Sequence, residues 1–382
     1  MGVDKFEIIV NLIKMIVIFL MMIQIVPILV WAERRGSAFI QNRFGPNRVG
    51  PLGLMQLLAD AVKFLFKEEF FPKQGVALLY YGAPVVALVP GVLALCSLPL
   101  SPIIHIEPFT LFGQIWAGAD GKGYDFAFQG FNVNVGIVYV LGVSSLGAYS
   151  LLMAGWGSSN KYSLMGALRA SAQMISYELA LGLSLVGILL VYGTLNFHEM
   201  MKLQDAPLAF GFLGHKLSLP FLADWGVFHN PIGMLLFASA TFAECNRLPF
   251  DLPEAEGELV AGFHTEYGGF KMLLFYIGEY GHMLVASALL VIFYFGGYNI
   301  PHFILDNMPK IAGNVGALIF AAISHLVLLT KILFFLWVFI WVRWTLPRFR
   351  YDQLMDLGWK TMLPWALVNM ILTAIWIFCS QA

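Results

Sequence analysis

The sequence has 382 residues, of which 59% are hydrophobic and only 12% charged, and its formal net charge is -1. So little charge excludes an ordinary soluble domain, in which about a quarter of residues are charged, and the absence of a positive excess excludes a nucleic-acid partner. The apolar runs are long and continuous, which excludes a membrane β-barrel and leaves helices of about 20 apolar residues as the spanning structure.

Apolar runs at 8–31, 76–100, 133–154, 175–193, 231–243, 272–297, 313–342 and 363–380 predict about eight transmembrane helices. The chain is therefore read as an all-α integral membrane protein, one polytopic domain over 1–382. The first run is too long for a signal peptide and lacks a small-residue cleavage site, so it is expected to remain as a span. It is followed by a basic loop with Arg34, Arg35, Arg43 and Arg48, punctuated by Gly45-Pro46 and Gly50-Pro51. Such a loop suits a polar head group, a lipid phosphate or an acidic neighbour. Residues 52–70 then place Leu54, Leu57, Leu58, Ala61 and Leu65 at helical spacing, with Asp60, Lys63 and Lys67 expected on another face. That pattern predicts an amphipathic helix lying in the membrane interface.

Further along, Glu178 falls early in the fourth run. Residues 206–222 carry Pro207, Gly211, Gly214, Lys216 and Pro220 and are expected to form a loop. The fifth run is short and ends in Glu244. Residues 244–279 hold Glu244, Asp251, Glu254, Glu256, Glu258, Glu266 and Glu279 against only Arg247 and Lys271. Leu248, Phe250, Leu252, Leu259, Val260, Phe263 and Tyr267 are interleaved with these acids, which favours burial over a solvated acidic loop. Carboxylates crowded in such surroundings do not all ionise, so some are expected to exchange protons near neutral pH. Lys14, His282, His325 and Lys331 complete the ionisable groups inside apolar runs, where each is a functional candidate or a snorkelling or paired structural residue.

The connections after odd-numbered runs, together with their flanks, carry fifteen of the 22 basic residues and the opposite connections five, with Lys14 and Lys331 inside spans. By the positive-inside rule both termini are expected outside the cytoplasm. Cys96, Cys245 and Cys379 are far apart and suggest neither a metal site nor a disulfide framework. His282 and His325 lack a second pair, so haem ligation is not expected. No Walker, GxGxxG, GxSxG or HExxH motif occurs, and a self-contained soluble-type enzyme is not indicated. The buried charges alone leave a stand-alone cation/proton transporter open as a reading.

Four blocks carry a resemblance: ERRGSAFIQNRFGPNRVGPLGLMQLLADAVKFLFKEE at 33–69, SAQMISYELALG at 171–182, ECNRLPFDLPEAEGELVAGFHTEYGGFKMLLFYIGEY at 244–280, and RWTLPRFRYDQLMDLGWKTMLP at 343–364. In these the sequence resembles the family of membrane subunits designated H in bacterial respiratory complex I, equivalent to mitochondrial subunit 1. The resemblance implies a proton-translocating NADH:quinone oxidoreductase in a bacterial inner membrane, in contact with subunits of the hydrophilic and membrane arms. Quinone would be its substrate, with FMN and iron–sulfur clusters in partner subunits and no metal or flavin of its own. It further implies that Glu33, Arg34, Arg43, Asp60, Lys63, Arg343 and Arg348 border the quinone chamber. Proton coupling would fall to Glu178, Glu244, Arg247, Asp251, Glu254, Glu256, Glu258, Glu266 and Glu279. The counterpart in a membrane-bound hydrogenase or in a ferredoxin-dependent quinone reductase shares much of this pattern and is the nearest alternative.

Overall fold

The computed structural model describes residues 5–111, 114–116, 124–212, 215–252, 260–301 and 313–381. Among them, seven helices are long and apolar enough to cross a membrane, and a further apolar helix, Pro231–Glu244, has 14 residues and stands fifth in chain order. All eight coincide with the predicted runs. The first span, Lys5–Ile40, continues a further two turns beyond its apolar run and so carries Glu33 to Ser37 on a helix. Its extension brings a row of polar side chains to a fixed height at the membrane edge.

The third span is made of two helices, Gly136–Ser144 and Leu146–Gly157, joined at Ser145. The fourth, Lys161–Tyr192, starts fourteen residues before its apolar run because 161–174 is helical but mixed in polarity. Asn160 caps that start by accepting the Tyr162 N–H, and Gly193 ends the helix in a left-handed conformation with φ 65°. Burial orders the spans. In the sixth, Gly269–Tyr294, 78% of the most apolar window is buried, against 22% in the first, the seventh (Gly313–Thr345) and the eighth (Tyr351–Ser380). The sixth span is therefore the axis of the bundle, and the other three face outward.

Close packing around that axis uses small residues where backbones meet, as lipid-embedded helices require. A Cβ on Gly278 would lie 2.8 Å from the Ala87 carbonyl oxygen of the second span, Ala77–Ser97. One on Gly166 would lie 2.8 Å from the Gly262 Cα.

Connections on the two ends differ in character. At the end where the first span begins, three two-stranded ladders form: Ile104–Ile106 with Tyr124–Phe126, Phe109–Leu111 with Gln114–Trp116, and Pro207–Phe212 with His215–Ala223. The third corrects the expected loop at 206–222. Leu217, Leu219 and Phe221 alternate with polar or small residues, a strand period that outweighs the Pro and Gly breakers. His198, in the short helix Phe197–Leu203, is bonded to Gln129 and to Tyr298 and so ties the three connections of this end together.

Lys14 and Lys331 are both bonded within the protein. Lys14 lies 3.3 Å from the Tyr124 hydroxyl, and Lys331 donates to the carbonyls of Phe295, Gly297 and Asn299 at 2.9, 2.9 and 3.1 Å, closing the end of the sixth span. His325 hydrogen-bonds the Leu100 carbonyl.

Candidate functional site

At the opposite end, Glu33 is the centre of a buried ion network. The Arg343 guanidinium from the end of the seventh span donates to Glu33. The Tyr280 hydroxyl donates to Glu33 Oε2 at 2.6 Å, and Arg247 Nη1 lies 3.5 Å from the same oxygen. Arg247 also reaches Glu279 Oε1 through Nε at 3.0 Å and lies over the Tyr280 ring at 4.1 Å. Burial alone would weaken the hold of Arg247 on its proton. Glu279, Tyr280 and Glu33 together outweigh it and hold that proton more tightly than in an ordinary arginine.

The chain after the fifth span positions Arg247. Cys245 and Asn246 turn the backbone, with Asn246 at φ 49°, and the Phe250 N–H closes back onto the Arg247 carbonyl at 2.8 Å. Gln173 of the fourth span holds this turn by donating to the carbonyls of Ala243 and Phe250, each at 2.8 Å. Next to it Arg348 pairs with buried Asp251 at 3.1 Å.

The amphipathic helix Gln56–Phe66 lies beside this network. Asp60 faces the first span, where Arg34 meets its carboxylate at 2.6 Å, while Gln56 of its own helix donates to it at 3.2 Å. Lys63 stays exposed, 3.9 Å from Asp60. Leu58, Val62, Leu65 and Phe66 are exposed on the outer side of the helix.

A cavity of about 50 Å³ opens beneath the network, with Glu244, Glu279, His264 and His282 among its lining. Glu244 is within hydrogen-bond reach of Ser144, and Glu178 is near enough to act on it electrostatically. The fourth span beside Glu178 is fastened to the start of the eighth by Tyr177 to the Leu354 carbonyl, 2.8 Å, and by Trp359 to Ser176, 3.1 Å.

The predicted site residues thus fall into groups. Glu33, Arg343, Arg247 and Glu279 form one network, which joins residues assigned by the resemblance to two different roles. Arg348 and Asp251 likewise pair across that division. Glu178 and Glu244 lie close together deeper in the bundle. Glu266 stands apart, accepting from Asn160 at 2.6 Å while its backbone carbonyl accepts from Tyr80 at 2.7 Å. Arg43 is exposed and bonds Gln41, away from the network. Glu254, Glu256 and Glu258 lie outside the described residues. Tyr280 and Gln173 carry no sequence signal of their own as uncharged residues, although both sit inside two of the four blocks. Among the described residues no group of three or more His, Cys, Asp or Glu side chains is placed to hold a metal ion.

Residues 13–374 match the family model described as NADH dehydrogenase. The chain is 62% identical to the NADH-quinone oxidoreductase chain designated H of Bdellovibrio bacteriovorus, over 100% of this chain and 99% of that one. It is 43% identical to the protein of the same name in Salinibacter ruber, over 91% and 90%, and 42% identical to "NADH-quinone oxidoreductase subunit 8" of Rhodothermus marinus, over 91% of each.

Proposed function

The chain belongs to the NADH dehydrogenase family, and on that footing we propose that it borders the quinone chamber of an NADH-quinone oxidoreductase and opens the path that couples quinone reduction to proton transfer. It is a multi-pass membrane subunit of that enzyme complex. Electrons would arrive from FMN and iron–sulfur clusters in partner subunits, and this chain contributes protein side chains and no redox centre. The membrane would be a bacterial inner membrane with both termini outside the cytoplasm, in line with the basic connections.

The observation that carries the reading is that Arg247 bridges Glu33, at the edge of the bundle, to Glu279, which also lines the cavity beneath the network. Reduction of a quinone beside Glu33, Arg34 and Asp60 adds negative charge there until protons follow. A guanidinium shared between two carboxylates responds to such a charge by shifting toward it, because in a site of low dielectric the interaction is only weakly screened. Its hold on Glu279 then loosens, and the acids lining the cavity can take up or release a proton. Glu178 and Glu244 stand next along that route.

Glu279→Gln and Glu178→Gln in the assembled complex test this. The expected result is loss of coupled NADH:quinone turnover and proton pumping in membranes where native gels show normal assembly. Unchanged turnover and pumping in both variants would reduce these carboxylates to structure.

A further inference from the structure

The first cavity is followed by a second, smaller one of about 10 Å³, lined by Ser144, Thr241 and Leu181 among others, and only Glu244, Cys245 and His282 line both. Space of this size holds about one water molecule, and the oxygens of Ser144, Thr241 and Glu244 offer it polar partners. His282 stands at the junction. Its Nε2 is buried without a hydrogen-bond partner, while the ring is also bonded to the Ala87 backbone. A bond from one ring nitrogen to a backbone carbonyl fixes the tautomer and leaves the other nitrogen with a lone pair facing the cavities. A buried nitrogen of that kind costs free energy unless something accepts or donates there.

Resting on the coupling reading above, we infer that His282 is a proton-relay residue between the outer cavity, at Glu279, and the inner one, at Glu244. A carboxylic acid on the outer side gives its proton to Nε2, directly or through one water, and becomes a carboxylate. The imidazolium so formed keeps its other N–H on the Ala87 carbonyl. It then releases the Nε2 proton to the Glu244 carboxylate, and the imidazole returns to its starting form. No electron moves in this step. The titratable groups that line the same space are Glu244, Cys245, Glu279 and His264, with Glu178 close to Glu244 on the fourth span.

The test compares His282→Gln, His282→Glu and Glu244→Gln in the assembled complex in native membranes, with assembly read from native gels. Glutamine fills similar space and forms hydrogen bonds but carries no proton; glutamate does carry one. His282→Gln is expected to lower coupled turnover and pumping at least about a hundredfold, the low end of what a positioned acid–base group contributes. His282→Glu is expected to keep a large part of both. Where the glutamine variant does not assemble, His282→Asn serves in its place. If Glu244→Gln abolishes coupling while His282→Gln leaves it intact, the relay is wrong and the coupling reading stands. Equal losses in the glutamine and glutamate variants would assign His282 to packing and overturn the relay. Intact coupling in Glu244→Gln together with His282→Gln would overturn both.

Discussion

Replacing Glu33 by Gln removes a carboxylate shared by two guanidinium groups. Glu33 is 7% exposed and Arg247 4%, so of the two guanidinium groups left behind Arg247 cannot rotate into water and has to rely on Glu279. Removing one partner of a buried pair costs about 3–5 kcal/mol, chiefly through the charge left without its counterion. Arg343→Gln should cost less, about 1–3 kcal/mol, since Glu33 keeps Arg247 and the Tyr280 hydroxyl. The Arg343 side chain is also 22% exposed, which adds screening. The double variant should then cost less than the two singles together, with a coupling of about 1–3 kcal/mol, because the second substitution removes a charge that the first left behind. The thermal unfolding midpoint of the purified complex at a fixed scan rate gives the order, since membrane complexes unfold irreversibly. A midpoint in Glu33→Gln equal to that of the parent, or a double variant that loses the full sum of both singles, would refute the shared-carboxylate account.

Arg34→Ala should lower the same midpoint far less than Glu33→Gln, by under about 1 kcal/mol, because Arg34 is 46% exposed and its pair with Asp60 is screened by solvent and salt. Gly166→Ala pushes a methyl group into the backbone of Gly262 and Phe263, 2.8 and 3.1 Å away, and is expected to abolish assembly on native gels, whereas Gly142→Ala meets nothing within 4 Å and should assemble normally. Burial pushes the His198 imidazole down to about 4, so the ring is neutral in the fold while the unfolded chain takes up a proton near pH 6.5. Its contribution is present above pH 6.5 and is lost as the pH falls toward 4, about 2 kcal/mol of it by pH 5. The midpoint difference between pH 7 and pH 5 should therefore shrink in His198→Gln, and an unchanged difference would count against it.

The spans are legible because each is a run of apolar residues, and a bilayer admits little else. What the runs do not mark is helix that continues past the lipid. Residues 161–174 and 32–40 mix polar and apolar side chains, and their polar groups are paired within the protein, as with Glu33 and with Asn160 at the helix start. The short fifth span is visible as a run ending at Glu244, and the turn at Asn246 explains its length. The hairpin over 207–223 is obscured because its prolines and glycines read as breakers and hide the two-residue alternation between them. Orientation of Asp60 escapes the sequence for a different reason: on a helix at the membrane edge, the choice between water and the bundle is made by a cation on another helix, and Arg34 is 26 residues away.

Acid pairing follows the same logic and bears on mechanism. Counted within 244–279, seven carboxylates face two cations, which suggests a general excess of acid. The fold supplies Arg343 and Arg348 from about a hundred residues further on, and Glu33, Asp251 and Glu279 each meet a guanidinium. Glu244 is differently placed, with the Ser144 hydroxyl, the His282 ring and the Glu178 carboxylate around it. Among the described acids there are thus two sets: Glu33, Asp251 and Glu279, each paired with an arginine, and Glu244 with Glu178 near it; on the proposed reading the first passes on changes of charge and the second exchanges protons. Glu33→Gln and Glu244→Gln should separate them, the first acting mainly on stability and the second mainly on coupled turnover.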